Sequence, residues 1–280
     1  MTQIIDSDDY AASGIQTLIF PGGEPHVKLP DFTGDILLLL KLRSWNDIGF
    51  ATLVADALSR SGANSVCTFV PYFPAARQDR APDGHAPFTL RYTSLLLCPD
   101  PDRGVSVFDP HSPVLLSTAR IERAFMPADL SVPLADDVVG IIAPDQGASE
   151  RARKFRDAFY PERALLQCSK RRDPVTGALS GYNLPPLPAR GRYIIVDDIC
   201  DGGGTFNLLA ESFKSDPLAP HCSLELFVSH GIFSKGPGAI DPVIEHITTT
   251  DSWCRLPTND RLTVLPLSPL FALIPGVRHA

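Results

Sequence analysis

An α/β fold with mostly parallel sheets is what this 280-residue chain predicts. Three observations carry the expectation. Short apolar runs recur along the whole length, helical patterns lie between them, and the residues able to do chemistry collect where runs end. The runs are Ile36–Leu40, Val66–Val70, Val105–Phe108, Val138–Ile142, Tyr193–Val196 and Leu224–Val228. Runs apolar on both faces fit buried parallel strands. Between them, Phe50, Leu53, Val54, Ala57 and Leu58 follow helical spacing, and Gly62 is a plausible stop. Gln146–Phe159 and Thr205–Phe213 read the same way. Strand–helix alternation implies α/β layers, with sites at the carboxyl ends of strands.

Composition narrows the class. Apolar residues make up 44% and charged residues 20%, which supports a sizeable core and excludes global disorder. No run approaches the length of a membrane span, and the acidic start MTQIIDSDDYAAS lacks the basic end of a signal peptide. A net charge of −7 argues against a nucleic-acid coat but not against small anions. The six cysteines are scattered without a CxxC pair, which fits reduced thiols in a cytoplasmic protein. The 27 prolines imply stiff connections, such as Asn183–Arg190. The chain reads as two halves, the first ending near Leu134 before the acidic pair Asp136–Asp137.

Five segments carry chemistry. In YIIVDDICDGGGTF (Tyr193–Phe206) an apolar strand meets Asp197 and Asp198, then Asp201, Gly202, Gly203 and Gly204, then a helix opening at Thr205. Glycines let backbone N–H groups wrap a phosphate, and a helix N-terminus adds positive potential. Neither GxxxxGK[ST] nor GxGxxG is present. Read alone, the loop is a phosphate cradle or an ordinary tight βα turn. In VSVFDPH, Asp109 and His111 lie two apart, so an extended chain would point both the same way, as a metal or phosphate pair or as a surface loop. VPYFPAARQDR crowds Arg77, Gln78 and Arg80, which suit a polyphosphate or a salt-bridged turn. In IIAPDQGASERAR, Asp145 stands between strand and helix, facing a metal or capping the helix. In SKRRDPVTG, Lys170, Arg171 and Arg172 form a mobile basic loop over leaving phosphates or a solvated face.

In this order the five segments resemble one family, the ribose-phosphate diphosphokinases, over residues 20 to about 273. PYFPAARQDR is similar to the family's PYxxYARQDR, FDPH to its DLH, APDQGASERAR to its SPDxGGxxRA, and SKRRD to its catalytic flexible loop. IIVDDICDGGGT resembles the ribose-phosphate signature shared with type I phosphoribosyltransferases. The resemblance implies two tandem type I phosphoribosyltransferase-like domains: residues 1–135, joined by a terminal helix within 266–280, and residues 136–265. It implies transfer of the diphosphate of ATP to the anomeric hydroxyl of a ribosyl 5-phosphate, with Mg²⁺ bridging phosphates. His111, Asp145 and Asp109 would contact metal at a site between domains. Phe20, Glu24, Arg77, Gln78 and His111 would bind ATP. Lys170 and Arg172 would act catalytically, and Asp197, Asp198 and Asp201–Thr205 would hold the ribose phosphate. FPGGE matches the family's FxDGE, which reaches a neighbouring subunit, so a homo-oligomer (dimer or hexamer) is implied.

Three departures stand out. Gly22 replaces the FxDGE aspartate, which loosens the expectation for adenine. Gly202 and Phe206 replace hydroxyl-bearing positions of the phosphate loop. Gly202 opens space for an enlarged acceptor such as ADP-ribose, to which Phe206 offers an aromatic face or, otherwise, packs in the core. A phosphoribosyltransferase consuming the activated sugar and a non-catalytic regulatory homologue are the competing readings. The ARQDR and DPH segments favour the diphosphokinase over the first, and retention of Lys170, Arg172, His111 and Asp145 speaks against the second.

Overall fold

The computed structural model describes residues 2–81, 83–99, 104–133, 135–172 and 179–278. The chain divides into two compact units, Met1–Met126 with Leu267–Ala280, and Pro127–Pro266. No helix among the described residues is long and apolar enough to cross a membrane.

The first unit opens with β1 (Gln3–Asp6) and a hairpin of β2 (Gln16–Ile19) and β3 (Pro25–Lys28). Then come β4 (Asp35–Leu39), α1 (Trp45–Leu58), β5 (Ser65–Val70), α2 (Thr89–Leu97), β6 (Val105–Phe108), α3 (Leu115–Thr118) and β7 (Ile121–Phe125). The sheet runs β1-β4-β5-β6-β7, parallel throughout. Ile36, Leu37 and Leu38 are buried on both faces of β4, as a covered parallel strand requires. Ser44 and Asp47 form a capping box that starts α1. The helix buries Ile48, Ala51, Val54 and Leu58, whereas the expected Phe50, Leu53 and Ala57 are only half-buried. Apolar residues cover more than one side of this helix, so spacing alone does not choose the buried face.

The second unit contains β8 (Val138–Ala143), α4 (Ser149–Phe159), β9 (Ala164–Gln167) and a hairpin of β10 (Ser169–Arg172) and β11 (Leu179–Asn183). It continues through β12 (Gly191–Cys200), α5 (Gly204–Lys214), β13 (Cys222–Gly231), β14 (Ile244–Thr250) and β15 (Leu262–Leu265). Its parallel sheet has the order β15-β14-β13-β12-β8-β9. Phe206, Leu209 and Phe213 of α5 pack on Tyr193, Ile195, Leu224 and Leu226. Ala152 and Phe155 of α4 pack with Ile194, Val196 and Phe227, the alternate residues and so the opposite face. The chain therefore leaves β8 and β12, which are neighbours, towards opposite faces and opposite edges. That is the switch point where α/β sheets open a crevice at their carboxyl ends.

After β15 a short helix, α6 (Ser268–Phe271), returns to the first unit. Phe271 meets the fully buried Phe69 edge-on at 6.0 Å, and Phe125 does so at 5.9 Å. Replacing Phe69 with Ala should cost about 3–5 kcal/mol of unfolding free energy. Chemical denaturation reads this, and a loss below about 1 kcal/mol contradicts a core role.

Candidate active site

In the second unit the switch point gathers most of the sequence-predicted groups. Asp145 follows β8, and the loop Asp201–Thr205 follows the neighbouring β12. Gly203 takes a left-handed conformation (φ 77°) as the N-cap of α5, and a Cβ there would overlap Ile240. No side chain caps α5. Its first-turn N–H groups therefore lack intrahelical partners, and the dipole end favours an anion.

Asp197 and Asp198 close β12. Asp198 is buried, with Arg151 of α4 3.4 Å away, and its backbone N–H donates to Asp197 Oδ1 at 2.9 Å. Burial, and then the charge of Asp198, push the Asp197 carboxyl well above its usual range. The pair thus holds unequal carboxyls, one opposite a guanidinium and one whose charge is resisted.

Lys170 Nζ meets Asp145 Oδ2 at 2.6 Å. Burial alone would raise the Asp145 pKa. The hydrogen bond and charge of Lys170, with the N–H groups of Ala148 and Gly147, outweigh it and hold the carboxyl below its ordinary range. The basic segment is not the loop expected from its charges. Ser169–Arg172 is a strand paired antiparallel with β11, with Lys170 opposite Tyr182. Residues 173–178 and the Arg172 side chain lie outside the described residues.

Tyr182 has no signal in the sequence beyond a lone aromatic, yet it sits among the predicted groups. It is 2% exposed, and its hydroxyl makes no hydrogen bond of normal length among the described residues. Burial raises its pKa. Thr205 and Lys170 oppose the rise and Asp145 and Asp197 add to it, so all four act on this one hydroxyl.

Gly202 is not simply open. A Cβ there would lie 3.6 Å from Lys235 Cε and 3.8 Å from Lys235 Cδ. Phe206 is 2% exposed within the core, so it presents no face to a ligand.

In the first unit, the Arg77–Gln78 turn follows β5 and Asp109–His111 follows the adjacent β6, with Phe108 N–H donating to the Pro71 carbonyl at 3.2 Å. Arg77 and Gln78 are exposed. Asp109 and His111 do not point the same way, contrary to the extended-chain expectation. Asp109 is fully buried with φ 38°, its N–H donates to the Phe125 carbonyl, and His111 is exposed. The left-handed residue turns the chain between them. Phe20 and Glu24 flank the β2–β3 turn, closed by Phe20 N–H to the Glu24 carbonyl at 2.9 Å. Among the described residues no three His, Cys, Asp or Glu form a metal cage. Magnesium does not need one when substrate phosphates and water supply ligands.

Known proteins resemble the chain along most of its length. It is 29% identical over 273 residues to a ribose-phosphate pyrophosphokinase of Maricaulis maris, covering 89% of this chain and 84% of that protein. Like-named proteins of Pyrococcus abyssi and Sulfurisphaera tokodaii are each 28% identical, covering 85% and 92% of this chain and 83% and 90% of theirs. A crystal structure of phosphoribosylpyrophosphate synthetase from Mycobacterium smegmatis superposes with a TM-score of 0.69 at 20% identity, over 97% of this chain and 96% of that one. That likeness establishes the fold: two tandem type I phosphoribosyltransferase-like domains with mostly parallel sheets. No family model matches the chain.

Because the folded pKa of Asp145 lies below the unfolded one, its pair with Lys170 contributes stability above the ordinary carboxylate value of about 3.9. The contribution is lost as pH falls through the lower, folded value. Lys170→Ala should move the Asp145 titration midpoint upward, read by carboxyl-carbon NMR. A midpoint unchanged by the substitution contradicts the ion pair.

Proposed function

We propose that this chain, a member of the ribose-phosphate pyrophosphokinase family, is a diphosphokinase that transfers the diphosphate of ATP to the anomeric hydroxyl of a ribosyl 5-phosphate. The anomeric hydroxyl oxygen attacks the β-phosphorus and releases its proton to solvent, the bond between the β-phosphorus and the α,β-bridging oxygen breaks, and AMP leaves with that oxygen. What most supports the reading is the switch point of the second unit, where Asp145–Lys170 and the uncapped glycine loop leave neighbouring parallel strands.

Each group has a task. The N–H groups of Gly202–Thr205 and the Thr205 hydroxyl receive the 5-phosphate. Asp197 and Asp198 accept from ribose hydroxyls. Arg77, Gln78 and His111 receive ATP. Asp145, held ionised by Lys170, is a hard oxygen donor suited to Mg²⁺. Asp109, expected beside it as a ligand, is fully buried and is not offered to one. When bound, Mg²⁺ neutralises phosphate charge. Lys170, with Arg172, serves the charge that moves between phosphoryl oxygens, so its value lies in the transition state.

Ribose 5-phosphate is the acceptor this site favours over ADP-ribose. Phe206 is committed to the core, and the Lys235 side chain lines the space beside Gly202. The deciding assay is AMP formation from ATP and Mg²⁺ with each acceptor. AMP should appear, disappear in EDTA, and show the higher kcat/KM with ribose 5-phosphate. Lys170→Ala should lower kcat about 10²–10³-fold while the KM for ATP changes little. Absence of AMP with every ribosyl phosphate overturns the reading.

The β2–β3 hairpin bears on assembly. Leu18, Ile19 and Phe20 are 39%, 56% and 47% exposed at its tip, an apolar group that a second copy would cover. We read Phe20 and Glu24 as reaching the nucleotide site of a neighbouring copy. Sedimentation should give at least a dimer, and Phe20→Ala should raise the KM for ATP severalfold. A monomer with full ATP turnover contradicts the shared site.

A further inference from the structure

The glycine loop of the second unit carries no side chain at Gly202, and another element stands beside that position. After β13 the chain turns back over the end of β12. The N–H groups of Ile232 and Phe233 both donate to the Cys200 carbonyl, at 2.9 and 3.0 Å. Gly236 N–H closes a turn on the Phe233 carbonyl at 2.7 Å. Farther on, Asn207 of α5 clamps the same segment from its other end. Its Nδ2 donates to the Ala239 carbonyl at 2.9 Å, and its Oδ1 accepts from the Asp241 N–H at 2.9 Å. Residues 232–241 are therefore fastened to both sides of the glycine loop.

Lys235 lies between these fastenings. Its Cε is 3.6 Å from the position a Cβ of residue 202 would occupy. The side chain is exposed, and it makes no ion pair among the described residues. An ammonium there adds a full positive charge to a loop otherwise offering backbone dipoles and one hydroxyl. A second observation is a single buried hydroxyl beside the loop. The Tyr182 hydroxyl, on the Thr205 side of the loop, is buried and makes no hydrogen bond of normal length. Buried hydroxyls normally find a partner, so a polar occupant fits here.

We propose that Lys235 is a substrate-binding residue whose ammonium contacts the 5-phosphate of the acceptor, in place of the hydroxyl missing at Gly202. The assignment rests on the reading of this loop as the acceptor site. It makes Lys235 a determinant of acceptor affinity and not of nucleotide binding or of the chemical step.

The test separates those roles. Ribose 5-phosphate binding is read by titration calorimetry without ATP, and steady-state constants are read for both substrates. Lys235→Ala should weaken ribose 5-phosphate about tenfold, in Kd and in KM. The KM for ATP and kcat should stay within twofold. Lys235→Arg should keep most of the affinity, because the charge is what counts. A Cβ at residue 202 would make only ordinary van der Waals contact. Gly202→Thr in the Lys235→Ala background should therefore recover part of the loss. If Lys235→Ala binds ribose 5-phosphate as tightly as the wild type, the assignment is overturned. It is also overturned if the wild type binds none. If the wild type binds the sugar phosphate, Lys235→Ala weakens it, and no AMP forms, the diphosphokinase reading fails while the Lys235 assignment stands.

Discussion

The register of β12 is the constraint on which the rest of the second unit depends. Tyr193, Ile194 and Ile195 pair with Gly140, Ile141 and Ile142 on one side and with Leu224, Glu225 and Leu226 on the other. A slip by one residue would exchange the two faces of the strand. Tyr193 and Ile195 would leave the α5 core for the α4 core, and Ile194 and Val196 would do the reverse. Both exchanges break packed cores, so the strand is held in place. Asp197, Asp198 and the glycine loop are thereby placed with the accuracy of the sheet, which a free-standing loop does not provide.

That placement has an electrostatic cost. Two carboxylates at one strand end repel, and burial adds to the penalty, as the raised Asp197 shows. Arg151 offsets part of it at Asp198. Across the crevice Asp145 is balanced by Lys170. The unit thus keeps acids and bases in opposed pairs close to an uncapped helix end. The Asp145–Lys170 pair is partly exposed and so can be exchanged for a ligand's charges, whereas the Asp198–Arg151 pair is buried. The buried thiols show the contrast. Burial pushes Cys168 and Cys200 up to about 12, so they serve as inert core atoms.

Much of the frame was legible in the sequence. All six apolar runs became parallel strands, β4, β5, β6, β8, β12 and β13, because strands covered on both faces need no alternation, although β5 is fully buried only at Phe69 and Val70. In the two parallel sheets the strands passed over are β1, β7, β9, β14 and β15. All except β14 are four or five residues long, and β14, IEHITTT, is polar at all but its two isoleucines. All but β14 are sheet edges, where solvent replaces one neighbour and the apolar signal fades. Ser169–Arg172 looked like a loop because its strand character comes from pairing with β11, which lies farther along the chain. The glycine loop, Asp145 and Lys170 were visible as candidates because strand, acid and glycine are adjacent in sequence. Tyr182 and Lys235 were not, because each reaches the loop through tertiary structure. The Asp109–His111 expectation failed for a local reason, a left-handed aspartate in a stretch assumed to be extended.

The exchange at Gly202 has a physical consequence. A hydroxyl on the loop would be short and fixed, and it would reward a phosphate oxygen at one position and angle. An ammonium on a four-carbon arm reads charge at some distance and tolerates a range of positions. The segment carrying Lys235 is fastened at Cys200 and Asn207, so the base of the arm is fixed while the side chain is exposed. Such a cradle selects by ionic state more than by the direction of a single bond. A dianionic monoester gains more from it than a singly charged diester does, because the Coulomb term scales with the charge. Glycine at position 202 is then not a weakened phosphate loop. On the proposed assignment it is the clearance that leaves the Lys235 arm room beside the loop.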